Sequence, residues 1–145
     1  MLRMTARGPE LTGPDGPIAW YLEVNEDEDP MEVVNRIAAR QLGPPLLVHS
    51  TSWRRARRAV ILSFIVVLAE GQGAELAGVP IGRAELARNS PTAAAVSIAT
   101  GQVVEHGLRH LAWLAKEDEV VRTTLPASWL ELLVDYVPEP FRHLP

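Results

Sequence analysis

The chain has 145 residues, with fourteen basic against eighteen acidic side chains and a net charge of −4. Leu, Ile, Val and Phe fill 41 positions, enough apolar material for a folded core, while Gly plus Pro fill only 22, which excludes low-complexity and collagen-like chains. There is no cysteine, and that excludes disulfide frameworks, zinc knuckles, iron–sulfur clusters and thiol nucleophiles together.

At this length one domain is expected: residues 18–145 as a single α+β domain, preceded by an irregular N-terminal arm at 1–17. The arm is inferred from Gly8, Pro9, Gly13, Pro14, Gly16 and Pro17. Its opening residues have no apolar core of the signal-peptide type. Residues 18–24 then alternate, with Ile18, Trp20, Leu22 and Val24 on one face and Tyr21 and Glu23 on the other. This predicts a half-buried strand. Asp29-Pro30-Met31-Glu32 reads as a helix start, with Asp29 as the cap and Pro30 in the first turn. The helix should bury Met31, Val34, Ile37 and Ala38 and stop near Gly43.

Residues 46–52 predict a second strand, and 59–69 a third that is apolar on both faces. A six-residue link, 53–58, should join them as an antiparallel hairpin. Arg83 to Asn89 suggests a short helix. Ser90-Pro91 signals the start of a long helix at about 91–117, and Ser128 to Glu131 that of a last one. The predicted fold class is α+β: a β-α-β-β-α-α arrangement on a three-stranded mixed sheet of order 2-3-1. Ile61, Ile65 and Val67 fall on the sheet face that the helices leave open. Such a patch is rarely bare on a monomer, so a homodimer is expected. The longest apolar stretch is too short to cross a bilayer, which needs ~20 residues, so the protein is expected to be cytoplasmic with no membrane partner.

Two clusters carry possible chemistry. On the long helix Gln102, His106 and His110 recur at four-residue steps, and two histidines so spaced can reach one divalent metal ion. A third ligand has to come from elsewhere, with His49, Glu117 and His143 as the candidates. Position 107 is glycine, where a zinc protease helix has its general-base glutamate. The second cluster is Arg54, Arg55, Arg57 and Arg58, four arginines in the link between two strands. Guanidinium groups in that density suit phosphate, a nucleotide or an acidic partner. The acidic run 26–29 of another copy is one such partner. The mild acidity of the whole chain argues against a dedicated nucleic-acid binder.

Other motifs fail on inspection. Asn25, Asp27 and Asp29 open like a calcium loop, but Pro30 and Arg36 stand where glycine and glutamate are needed. Gly71 and Gly73 start a dinucleotide fingerprint that Leu76 ends. There is no phosphate-binding loop of the lysine type and no nucleophile elbow. The sequence therefore predicts a small non-catalytic module that homodimerises and binds a partner protein or small ligand. The alternatives are a metal-dependent enzyme using His106 and His110, and a phosphate or nucleotide binder using the arginine cluster. His49 and Gln102 are the further candidate ligand-binding residues.

Overall fold

The computed structural model describes residues 1–86 and 98–138. Among these the strands and helices are β1 (Leu2–Thr5), β2 (Gly8–Thr12), α1 (Pro30–Leu42), β3 (Leu47–Ala56), β4 (Ala59–Val67), β5 (Gly78–Pro80), α2 (Thr100–Glu117), α3 (Glu119–Thr124) and α4 (Ala127–Leu133). The class is α+β as expected, but the sheet is not three-stranded. Among the described residues it has five strands in the order β3-β4-β1-β2-β5.

The expected order 2-3-1 fails at one position. The β3–β4 hairpin forms, but the place beside β4 is taken by β1, which lies parallel to it with Leu2 opposite Val67. Residues 18–24 join no strand. β1 and β2 lie within the stretch expected to be irregular. A two-residue turn, Ala6-Arg7, pairs Thr5 with Gly8. The Thr5 hydroxyl donates to the Gly8 carbonyl and accepts from the Arg7 N–H, and Gly8 adopts φ +112°. Glycine reaches that conformation without a Cβ penalty. So the Gly-Pro content builds the hairpin rather than preventing it.

The chain clusters into two compact units, 1–50 with 64–81, and 51–63 with 82–145. In the first, α1 begins as expected: Asp29 Oδ1 accepts from the N–H groups of Met31 (2.7 Å) and Glu32 (3.4 Å). Val34 and Ala38 of α1 pack with Val66 and Leu68, and Met1, Leu22, Leu42, Val48 and Phe64 close around them. Met31 and Ile37 are only half-buried. An ion pair, Arg3 to Glu10 at 2.7 Å, crosses the β1–β2 ladder. Arg3 also donates to the Gly73 carbonyl.

β4 overturns the expectation that one of its faces is left open. Ile65, Val66 and Val67 are all buried, whichever face they occupy, as is Leu68 just after the strand. At the other end Val60 is 61% exposed and Leu62 41%. Burial therefore changes along the strand rather than across it. Ile65 and Val67 are covered within the chain and present no face for a second subunit.

In the second unit α2 starts at Thr100, because Ala99 is extended with φ −77° and ψ 150°. A helix running unbroken from 91 is therefore excluded, and residues 87–97 lie outside the described residues. Residues 83–86 are not helical. Asp118 then caps α3, which the sequence reading missed, accepting from Val120 N (2.8 Å) and Val121 N (3.1 Å). The core of this unit contains Leu108, Leu111, Val121, Leu125, Trp129, Leu133 and Tyr136.

Candidate functional site

The end of the β3–β4 hairpin belongs to the second unit. β3 continues through Trp53 and the first arginines, so the link is two residues, Arg57-Arg58, rather than six. Trp is a strong strand former and extends the ladder. Arg57 turns the chain with φ +53°, the only non-glycine residue at positive φ among those described. Trp53 stands 69% exposed, with Val60 and Leu62 also open. Arg55, Arg57 and Arg58 are exposed and Arg54 half-buried. None of the four forms an ion pair with a described residue. The structure thus gathers four cations, with no ion-pair partner among the described residues, and three exposed apolar side chains on one hairpin end.

The histidine cluster is placed differently. His106 and His110 lie on α2 with ring centroids 5.8 Å apart. His106 Nε2 is 3.2 Å from the Thr51 carbonyl. A carbonyl only accepts, so this nitrogen carries the proton and donates. His110 is buried, with its ring centroid 5.8 Å from that of Trp113. Gln102 uses both ends of its amide on backbone: Oε1 accepts from Ala99 N at 3.0 Å, and Nε2 donates to Glu85 O at 3.2 Å. His49 is half-buried on β3 in the first unit, and burial lowers its pKa from the ordinary 6.5. His143 lies outside the described residues. Among those described, no group of three or more His, Asp or Glu side chains is arranged to hold a metal ion. No described helix is long and apolar enough to cross a membrane.

One buried charged cluster escaped the sequence reading. Glu105, with no exposed side-chain surface, accepts from Arg83 at 3.0 and 3.1 Å, from Arg109 Nε at 2.9 Å and from the Ala84 N–H at 3.3 Å. Arg83 also donates to the Asp135 carbonyl, and its guanidinium lies 4.1 Å from the Tyr136 ring centroid. Burial pushes the Glu105 carboxyl up. The hydrogen bonds from Arg83, Arg109 and Ala84 outweigh it and hold the carboxyl below its ordinary 4.5. The four-residue spacing of Glu105 and Arg109 is visible in the sequence. Arg83, twenty-two residues away, is brought in only by the fold. Every lone pair this cluster uses is taken up internally, so it acts as a clasp joining residues 83–84 and 135–136 to α2.

Comparison with protein-family models, with curated proteins and with solved structures finds no match to this chain.

Proposed function

We propose that the protein is a non-catalytic binding module that takes an acidic protein partner on the end of the β3–β4 hairpin. The observation that carries this reading is Trp53, 69% exposed among four arginines that have no ion-pair partner among the described residues. A large exposed aromatic beside arginines has the composition of an interface hot spot. Val60 and Leu62 favour a protein over a nucleic acid, because aliphatic side chains add nothing to base stacking or phosphate contact. The net charge of −4 points the same way.

The test is a titration with a short blocked peptide of alternating Glu and Val, followed by tryptophan fluorescence. The expected signal is lost in Trp53→Ser. Replacing Arg54, Arg55, Arg57 and Arg58 by Ser should weaken binding about fourfold or more, at ~0.2–1 kcal/mol for each pair. Added salt should weaken it further. Unchanged affinity in the arginine variant refutes the reading. Tighter binding of a single-stranded oligonucleotide or a nucleotide than of the peptide moves the site to the nucleic-acid or phosphate class.

A further inference from the structure

Two stretches of this chain carry complementary strand signals. The first is residues 18–24. They have the alternation of a strand yet join no sheet, and the backbone of residues 19–24 makes no hydrogen bond to another described residue. Tyr21 is 72% exposed, Ile18 and Val24 are open, and Glu23, Glu26 and Asp27 project into solvent. The second is the outer side of β3. As the edge strand it turns a row of N–H and C=O groups away from β4 with no strand among the described residues to meet them. The Thr51 carbonyl is taken by His106. Beyond it the edge runs on through Trp53 to the arginines.

We infer that residues 18–27 of a second copy of this chain dock along the outer edge of β3 at 51–56, reciprocally in a twofold dimer. The inference rests on the hairpin end being the binding surface proposed above and names its occupant. Lengths agree: seven extended residues span about 23 Å and six about 20 Å. Charges agree as well. Both stretches carry their charge toward the C-terminal end, so a parallel alignment sets Tyr21 beside Trp53, Glu23 beside Arg55 and Glu26 beside Arg58, with Asp27 next along. Main-chain hydrogen bonds supply affinity in such strand addition, and side-chain charge supplies register.

A charge-exchange experiment with the full chain tests this by analytical ultracentrifugation. One variant carries Arg54→Glu, Arg55→Glu, Arg57→Glu and Arg58→Glu. The other carries Glu23→Lys, Glu26→Lys and Asp27→Lys. Wild type is expected to be a dimer, each variant alone a monomer, and an equimolar mixture a one-to-one heterodimer. Formation of the heterodimer also shows that both variants are folded. A monomeric wild type, a dimer that survives either set of changes, or a mixture that stays monomeric overturns the inference. A monomeric wild type that still binds the acidic peptide removes only the second copy as occupant. Loss of peptide binding as well removes the hairpin end as a binding surface.

Discussion

Arg57 shows how a single residue joins conformation to use. At φ +53° it occupies the left-handed region, which costs a Cβ-bearing residue roughly 1–2 kcal/mol. Glycine avoids that cost, but it also frees the unfolded chain and removes a guanidinium. Arg57→Gly is therefore expected to raise stability by about 0.5–1 kcal/mol in chemical denaturation. The same change should weaken the acidic peptide. A variant that gains stability and keeps full affinity shows that the Arg57 charge plays no part in binding. Glu105 is the opposite case, a charge with no surface role. Its three donors leave it nothing to offer a ligand, and its spacing to Arg109 was all the sequence revealed of it.

At the scale of elements, alternation in 18–24 described the central side chains correctly and the ends and the backbone wrongly. Trp20 and Leu22 are half-buried and Tyr21 and Glu23 exposed, as the pattern requires, but Ile18 and Val24 at its two ends are exposed although they belong to the same face. A ladder needs a partner edge as well, and inside the chain β1 occupies the edge of β4. The gain to β1 is visible in Leu2, which is buried, and in the Leu68 N–H, which donates to the Leu2 carbonyl at 2.9 Å. β5 completes the sheet under a tight constraint. A Cβ on Gly78 would lie 2.5 Å from Glu10 Oε2 and 2.6 Å from an Arg3 guanidinium nitrogen. Gly78→Ala must therefore displace the Arg3–Glu10 pair or the strand. It is expected to cost about 1–3 kcal/mol, measured by urea denaturation. A neutral effect shows that the pair shifts without loss.

For the whole molecule, two groups predict how it fails in acid. The pKa of His49 is lowered by burial, so the unfolded chain takes up its proton first as pH falls. Its contribution is full above pH 6.5 and is lost as pH drops below that value toward the folded pKa. The Glu105 carboxyl is held below 4.5, so its contribution is full above 4.5 and is lost further down. Thermal midpoints measured from about pH 8 to pH 3 should fall in two stages. His49→Gln should flatten the upper stage. Glu105→Gln should flatten the lower one and cost about 2–3 kcal/mol at neutral pH, since it leaves two arginines short of a partner. A single stage unaltered by either change refutes both assignments.

The sequence by itself determined what is local. The α1 cap and stop, the β3–β4 hairpin, the α+β class and the concentration of arginine at one turn all follow from neighbouring residues, whose hydrogen bonds and φ preferences need no distant partner. Only the tertiary structure decided which strand lies beside β4, that β4 is buried at one end rather than on one face, and that Arg83 reaches Glu105. Those outcomes turn on which edges and charges, far apart in the chain, find each other, and periodicity in a sequence holds no record of that competition.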